Sequence, residues 1–178
     1  QRRGDIPDDP PADVLLERIQ QEKQRLYDAG KIRKPKTFSS VPEEEIPFNV
    51  PSKWGWAYLG KIGRWGAGST PKRSNPDYWE DGSIPWLKIG DLNNAHVEKA
   101  EEYVTDQALD ECTFKVNQPG DVAIGMYGSI GKLGVLEIEC VTNQAICVCT
   151  PMGGIPSRYL FYYLRTARET FEDLEAVL

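Results

Sequence analysis

The segment from Gly125 to Lys132 has the glycine spacing of a loop that can approach an anion. Three glycines separate two strand-like runs here, so backbone N–H groups can come close to a phosphate, and Lys132 adds a compact positive charge. The P-loop pattern is not met, because Leu133 stands where a serine or threonine would hold magnesium. A tight β-turn with a solvated lysine explains the same spacing equally well, so the residues leave both interpretations open.

Two further segments carry polar side chains suited to contacts with nucleic acid. The loop Gly66–Arg73 joins the hydroxyls of Ser69 and Thr70 to two cations. Hydroxyls and cations contact phosphate oxygens, and Arg and Lys also donate to guanine edges. Asn143 and Gln144 are amides, the residue type that pairs bidentately with adenine. Each signal is weak alone, because amides in strands are usually satisfied by neighbouring protein groups.

The tetrapeptide Asn75–Tyr78 is a near match to the one with which amino-methyltransferases hold a target amine. Asp77 stands where that motif has a second proline, and no glycine-rich cofactor loop follows a strand upstream. A turn anchored by Tyr78 and Trp79 is the simpler interpretation. The segment therefore predicts a structural turn and no methyl-transfer site.

No other arrangement of catalytic or metal-binding residues is indicated. The single histidine, His96, is remote from the cysteines and from any nucleophile motif, and the carboxylates are scattered. A zinc site needs more ligands at close spacing. We therefore expect no catalytic residue, no metal and no cofactor in this chain. Its four cysteines are expected to be buried, reduced thiols: Cys112, Cys140, Cys147 and Cys149.

Length and composition favour one domain, or one domain with a helical appendage. The 178 residues suit that size, and no apolar run approaches the roughly 20 residues that span a bilayer. The polar N-terminus does not resemble a signal peptide, so a cytoplasmic location is expected. The absence of an initiator Met hints at a fragment of a longer protein.

The net charge of −6 argues mildly against nucleic acid as a partner, because such binding depends on phosphate neutralisation. The distribution is more informative than the sum. Residues 51–99 carry seven Lys or Arg against five Asp or Glu, whereas residues 100–178 carry five against twelve. A DNA surface would therefore be a local patch, and we expect the acidic stretch Glu101–Glu111 to be turned away from it.

An N-terminal helix is predicted from Pro10 or Pro11 to Ala29, with Asp9 as a possible cap and Gly30 as the stop. Residues 1–11 are polar and Pro-rich, and we expect them to be disordered or extended. The apolar stripe is narrow, which fits a partner helix, although a helix covering an edge of its own domain fits equally well. The candidate partner-binding residues are Leu15, Leu16, Ile19 and Leu26.

The rest of the chain predicts an α+β domain after a linker at residues 31–50. Strands are expected at Asp121–Tyr127, Lys132–Glu139 and Thr142–Thr150, which are rich in Val, Ile and Cys. A closing helix capped by Ser157 follows, with apolar or aromatic residues through Leu174. The five tryptophans between 54 and 86 lie among glycines and prolines, which indicates short strands and long loops.

Several sequence blocks, in this order and spacing, resemble the specificity subunit of type I restriction–modification systems. The resemblance covers one target-recognition domain and the helix before it. The blocks are Leu15–Leu26, Gly30–Lys34, Glu43–Phe48, Pro51–Trp56, Leu59–Gly63, Gly68–Pro71, Asn75–Trp79, Ile84–Leu92, Met126–Lys132 and Thr142–Ala145. No single block is specific, but their combination is.

This resemblance implies a fold and a function. It implies an α+β target-recognition domain with a twisted, mostly antiparallel sheet, long loops and flanking helices, plus an N-terminal coiled-coil-type helix. The corresponding boundaries are 1–30 for the N-terminal extension and helix, 31–50 for the linker and 51–178 for the domain. Such subunits read a split double-stranded DNA target with two domains. The resemblance covers one such domain in this chain, which is expected to end before the helix that normally follows.

The resemblance also implies partners. Methylation subunits carry the S-adenosylmethionine chemistry, and restriction subunits use ATP and Mg, so those cofactors are expected in the partners. A second target-recognition domain or half-subunit is a further expected partner. The alternative is a protein-interaction or scaffold domain without DNA contact. The candidate DNA-binding residues are Ser69, Thr70, Lys72, Arg73, Tyr127, Ser129, Lys132, Asn143 and Gln144.

Overall fold

A computed structural model describes residues 10–175, and the side chains of 172–175 are not described. The predicted cap Asp9, the start of the N-terminal extension and the last residues of the chain lie outside this range. The chain divides into two compact units, Gln1–Gly63 with Met152–Gly154 and Arg64–Pro151 with Ile155–Leu178. The domain boundaries given by the sequence stay a prediction.

The first unit is built on one long helix, α1 (Ala12–Asp28), with a short helix α2 (Leu59–Ile62) packed against it. Pro11 stands at the N-cap, where its fixed φ and missing N–H carry no penalty. Gly30 adopts a φ of +69° and ends the helix, with its N–H donating to the Tyr27 carbonyl and the next N–H reaching that of Leu26. The predicted helix and its glycine stop are confirmed.

Ile19 corrects the expectation for the apolar stripe of α1. Its side chain is 1% exposed and lies against Gly153, where an added Cβ would stand 2.4 Å from Ile19 Cγ1. The Lys23 ammonium donates to the carbonyls of Gly60 and Lys61 at 2.7 and 3.0 Å. This face of the helix is therefore covered by its own unit. Ile19 is not available to a partner, whereas Leu15, Leu16 and Leu26 are half-buried and stay predictions.

The described residues form eight short strands, and the first of them, β1, begins at the boundary between the two units. They are β1 (Gly63–Ala67), β2 (Ile84–Leu87), β3 (Ala95–Val97), β4 (Glu102–Val104), β5 (Val122–Gly125), β6 (Leu133–Leu136), β7 (Val141–Thr142) and β8 (Ile146–Pro151). The predicted strands 121–127 and 132–139 are confirmed with shorter bounds. The predicted strand Thr142–Thr150 is interrupted, because residues 143–145 form a turn between β7 and β8.

These strands form two sheets. The larger has the order β1-β8-β5-β6-β3, with β5 antiparallel to both β6 and β8 and with β3 parallel to β6. The smaller has the order β4-β2-β7, with β2 antiparallel to β4 and parallel to β7. β5 and β6 are buried at every position, as central strands should be. The mixed α+β fold is confirmed.

Three helices complete the unit: α3 (Asp106–Glu111), α4 (Ser157–Thr166) and α5 (Arg168–Glu175). The single closing helix expected from the sequence is therefore two, with a break at Ala167. The expected cap is also wrong: Pro156 stands at the N-cap, and the Ser157 hydroxyl donates instead to the Gly120 carbonyl. Leu160, Phe161 and Leu164 are buried, and α4 packs on β5 and β6 through this face.

No helix in the described range is long and apolar enough to cross a membrane.

The buried face of α4 predicts a large stability difference between neighbouring substitutions. Leu160→Ala should lower the free energy of unfolding by about 2–5 kcal/mol, because it leaves a cavity at a fully buried position. Arg158→Ala, on the exposed face of the same helix, should change it by less than about 0.5 kcal/mol. Urea unfolding followed by circular dichroism measures both, and equal effects would contradict the packing described.

Candidate nucleic-acid interface

Three loop segments meet at one end of the second unit. The Ser69 N–H donates to the Thr142 carbonyl at 2.9 Å, which joins the loop after β1 to the end of β7. The Met126 N–H donates to the Ala145 carbonyl at 2.8 Å, which joins the β5–β6 loop to the β7–β8 turn. The turn is thus hydrogen-bonded to both loops. We call segments 68–73, 126–131 and 143–145 the loop cluster.

Gly68 makes this junction possible. A Cβ at this position would stand 1.8 Å from the Thr142 carbonyl oxygen and 2.3 Å from its carbon, so any other residue would displace the backbone. The two chain segments therefore touch backbone to backbone. The adjacent side chain of Trp86 reinforces the contact, because its Nε1 donates to the Ser69 carbonyl at 3.0 Å.

The predicted amides are engaged within the turn. Asn143 Oδ1 accepts from the Ala145 N–H at 3.1 Å, and the Asn143 N–H donates to Leu87 O at 2.9 Å, so Asn143 shapes the turn. Gln144 is exposed, and its Oε1 accepts a hydrogen bond from the Thr70 hydroxyl. The structure therefore brings Thr70 and Gln144 together at the surface. Ser69 is half-buried beside them and contributes its backbone.

Arg73 is held by two tryptophans and a carboxylate. Its guanidinium lies 3.9 Å from the Trp79 ring centroid and 4.7 Å from that of Trp86, and the two rings meet edge to face. Nη1 forms an ion pair with Glu102. These contacts fix the C-terminal end of segment 68–73. They give Arg73 a structural role, and its contact with DNA stays a prediction.

The position of Glu102 corrects the expectation for the acidic stretch Glu101–Glu111. Glu102 lies beside Arg73 and also accepts from Lys88 at 2.7 Å, so this part of the stretch is not turned away from the basic loop. The Arg73 guanidinium and then the Lys88 ammonium hold the pKa of Glu102 below its usual value of 4.5. The carboxylate stays ionised and neutralises cations behind the loop.

The Lys132 side chain is half-buried and is engaged within the protein. Its ammonium donates to the carbonyls of Ile89 and Gly90 at 3.1 and 3.2 Å. The preceding segment is a compact turn, in which the Gly131 N–H donates to Gly125 O and both Gly128 and Gly131 have positive φ. A compact turn is therefore present, and Lys132 anchors it to the segment after β2, whereas a contact of this segment with phosphate stays a prediction.

The outermost groups of the loop cluster are the ones that remain accessible. Tyr127 is 67% exposed and Met126 is 44% exposed, at the tip of the β5–β6 loop. Lys72, Ser129 and Gln144 are also exposed. Within the described chain, the Lys72 ammonium forms no ion pair, unlike Arg73 beside it.

All three segments of the loop cluster lie in parts of the sequence without carboxylates. Residues 46–76, 122–136 and 140–168 contain no Asp or Glu, although the chain has 27 such residues. Folding brings the three loop segments within these stretches together. The surface of the loop cluster therefore owes its charge more to the absence of acids than to an abundance of cations, and its use as a DNA surface stays a prediction.

Sequence reasoning missed the groups that position this patch. Trp79, Trp86 and Lys88 were not among the candidate site residues, yet they hold Arg73 and Glu102 in place. The clustering of tryptophans beside an Arg was the available signal. This signal did not reveal which Trp would lie against which cation. Nor did it reveal the ion pair of Arg73 with Glu102, because these two residues are 29 positions apart in the sequence.

Chemistry of other kinds finds little support in the described residues. In that range no group of three or more His, Cys, Asp or Glu side chains is placed to hold a metal ion. Cys140 and Cys149 are buried thiols as predicted, whereas Cys112 and Cys147 are half-buried. Burial raises the pKa of Cys140 to about 12, so this thiol is not a nucleophile near neutral pH.

Comparison with known proteins gives a family match over most of the chain. Residues 51–176 match the family model described as the type I restriction modification DNA specificity domain. The EcoR124I/EcoR124II specificity subunit of Escherichia coli is 29% identical over 113 residues, covering 61% of this chain and 28% of that protein. The EcoEI specificity subunit of E. coli is 30% identical over 135 residues, covering 72% and 22%. The chain thus spans less than a third of these relatives.

Solved structures give the same fold. The HsdS subunit from Thermoanaerobacter tengcongensis matches with a TM-score of 0.60 at 20% identity, over 89% of this chain and 40% of that chain. A chain from a structure on complex assembly and conformational transition of the type I R-M system matches with a TM-score of 0.56 at 20% identity, over 88% and 39%. At these identities the likeness concerns the fold.

The close approach at Gly68 predicts that this glycine cannot be replaced without moving the loop. Gly68→Ala should lower the free energy of unfolding by about 1–3 kcal/mol, because the new methyl group overlaps the Thr142 carbonyl. Gly90→Ala is the matched control, since nothing lies within 4 Å of its added Cβ. Thermal or urea unfolding measures both, and equal stability of the two variants would contradict the junction.

The ion pairs of Glu102 predict a specific pH dependence. Because its folded pKa lies below 4.5, ionised Glu102 contributes stability that is present above pH 4.5 and is lost as pH falls through the folded value. Glu102→Gln should therefore lower stability at neutral pH and reduce its further loss in acid. Urea unfolding at stepped pH measures this, with Glu98→Gln at an exposed position as control. Parallel profiles for wild type and Glu102→Gln would refute it.

Proposed function

The chain belongs to the type I restriction–modification DNA specificity domain family, and we propose that it reads one half of a bipartite duplex DNA target for methylation and restriction subunits. The family match supports a role in DNA recognition. It also supports a role without catalysis. The proposal goes beyond the family match in two respects. It says that the chain reads one half of a split site, and that it directs other subunits to that site. A cytoplasmic location, where such DNA lies, is part of it.

The observation that carries the proposal is the loop cluster. Its exposed groups combine an unpaired cation, hydroxyls, an amide and an aromatic ring, which are the side chains that contact phosphates and base edges. They are Thr70, Lys72, Tyr127, Ser129 and Gln144. Carboxylates would repel the phosphates, and the stretches 46–76, 122–136 and 140–168, which contain the loop cluster, have none. Arg73, Lys132 and Asn143 are engaged with neighbouring protein groups and support the same surface, and contacts of Arg73 and Lys132 with phosphates are part of the proposal.

Short loops on a buried sheet suit the reading of a sequence. β5 and β6 are fully buried, and the backbone contacts Gly68–Thr142 and Met126–Ala145 tie the three segments to one another. Side chains mounted on such a base need little ordering when they bind, so more of the contact energy discriminates between sequences. Because the Thr70 hydroxyl donates to the amide oxygen of Gln144, we expect the amide N–H groups to donate to acceptors on a base.

The partners of the proposal follow from the length of the relatives. Since this chain covers 28% and 22% of two specificity subunits, a second recognition domain is expected to read the other half of the target. Methylation subunits would supply S-adenosylmethionine chemistry, and restriction subunits would use ATP and Mg. The half-buried leucines of α1, Leu15, Leu16 and Leu26, are the proposed contacts for such subunits.

The test is the methylome of a strain carrying the intact specificity subunit with its methylation subunits. Deleting the gene should abolish methylation at one split adenine motif. Tyr127→Ala with Gln144→Ala should reduce or relax only one half of that motif, because each lost base contact changes discrimination by about 1–3 kcal/mol. A motif unchanged by the deletion, or changed in both halves by the double variant, would contradict the proposal.

A matched control separates base reading from general effects. Lys99→Ala removes an exposed cation outside the loop cluster, in a segment rich in carboxylates, and should leave the motif and its occupancy unchanged. Lys72→Ala should lower occupancy at all sites alike without changing the motif, since a phosphate contact carries no sequence information.

A further inference from the structure

The exposed face of α4 carries an unusual set of side chains. Opposite the buried Leu160 and Leu164 lie only arginines and hydroxyl-bearing residues. The tyrosines are 51%, 48% and 39% exposed in chain order, which is high for large rings on a helix. This face is formed by Arg158, Tyr159, Tyr162, Tyr163, Arg165 and Thr166. Every one of these side chains can donate a hydrogen bond, and none carries a negative charge.

The charge of this region is opposite to that of the chain. Residues 140–168 contain three arginines and no carboxylate, whereas the whole chain has a net charge of −6. Neither Arg158 nor Arg165 forms an ion pair with a described side chain, in contrast to Arg73. A surface that is cationic within an acidic chain is complementary to a polyanion.

The direction of α4 brings the C-terminal end of this helix to the loop cluster. At the start of the helix the Ser157 hydroxyl donates to the Gly120 carbonyl, just before β5. Just beyond its end, Arg168 lies against Gly131, where an added Cβ would stand 2.7 Å from Arg168 Cγ. The helix therefore runs along the β5–β6 hairpin from its open end to its loop. Arg165 lies in the last turn, nearest the loop cluster.

We propose that the exposed face of α4 binds the phosphate backbone of the duplex that the loop cluster reads. This inference rests on the proposed function and adds a second contact region to it, one without sequence preference. The guanidinium groups of Arg158 and Arg165 pair with phosphate oxygens, and the hydroxyls of Tyr159, Tyr162 and Tyr163 donate to the same strand.

The spacing of the two arginines fits a nucleic-acid strand. They are seven residues apart, two helical turns, which at 1.5 Å per residue is about 10 Å along the helix axis. Successive phosphates of one strand are about 3.4 Å apart along the duplex axis, so the two guanidinium groups reach phosphates about three steps apart. Arg158 is also held in place, since its guanidinium lies 5.6 Å from the Tyr162 ring centroid.

The test measures binding of the full chain to a short fluorescent duplex by anisotropy, between about 50 and 200 mM salt. Arg158→Gln with Arg165→Gln should lower the magnitude of the slope of log affinity against log salt by about 1.8, because each phosphate contact contributes about 0.9. Arg158→Lys with Arg165→Lys retains both charges and should restore most of the slope. Arg18→Gln with Arg25→Gln, on exposed positions of α1, is the control of equal charge and should leave the slope unchanged.

The tyrosines give a second readout that distinguishes a nucleic acid from a protein partner. Replacing all three by Phe removes the hydroxyl donors but keeps the rings, so it should weaken duplex binding at every salt concentration. A protein partner that buries the rings would instead tolerate Phe. Circular dichroism and thermal unfolding establish that each variant is folded before binding is compared.

The outcomes separate this inference from the proposed function. An unchanged salt slope for the Arg158/Arg165 glutamine variant overturns the α4 contact. If Lys72→Ala still lowers the slope in that case, the loop cluster binds DNA and the proposed function stands. A drop as large in the Arg18/Arg25 control would mean that net charge alone acts, which also overturns the α4 contact. A wild-type chain without salt-dependent duplex binding would overturn both.

Discussion

The backbone of Gly68 lies so close to Thr142 that a Cβ there would stand 1.8 Å from the carbonyl oxygen. This contact and the neighbouring Ser69–Thr142 hydrogen bond fix the loop after β1 to the end of β7. At this point the chain passes from the smaller sheet, which contains β7, to the larger sheet, which contains β8. The turn at 143–145 then holds the β5–β6 loop through Met126. Because each link is made by backbone atoms, the exposed side chains can differ without loss of the arrangement.

Electrostatics act here through local separation of charge. An acidic protein can present a surface to DNA when its carboxylates are absent from the face or paired behind it. Both devices are present: stretches 46–76, 122–136 and 140–168 have no acids, and Glu102 is neutralised by Arg73 and Lys88. The stacking of Arg73 on two tryptophans places that neutralisation at the base of the loop. Net charge is therefore a poor guide to the partner of this chain.

The sequence predicted the elements better than the contacts. Periodicity and glycine stops located α1, β5 and β6, because these signals are local. The Ser157 cap was wrong, since a carbonyl from another segment accepts from that hydroxyl. The single closing helix was also wrong, because it breaks at Ala167. Nothing in the sequence indicated that Ile19 packs against Gly153, or that the Lys132 ammonium donates to the carbonyls of residues 89 and 90. Such pairings join distant positions and leave no local pattern.

The central claim is that the loop cluster faces the DNA. Hydrogen–deuterium exchange of the intact subunit, with and without a duplex that carries its target, tests this most directly, because it reports on backbone amides segment by segment. The account predicts slower exchange at 68–73, 126–131 and 143–145, and no change in the acidic helix α3 at 106–111. Protection confined to 106–111, or no protection in the three segments with the duplex bound, would contradict it.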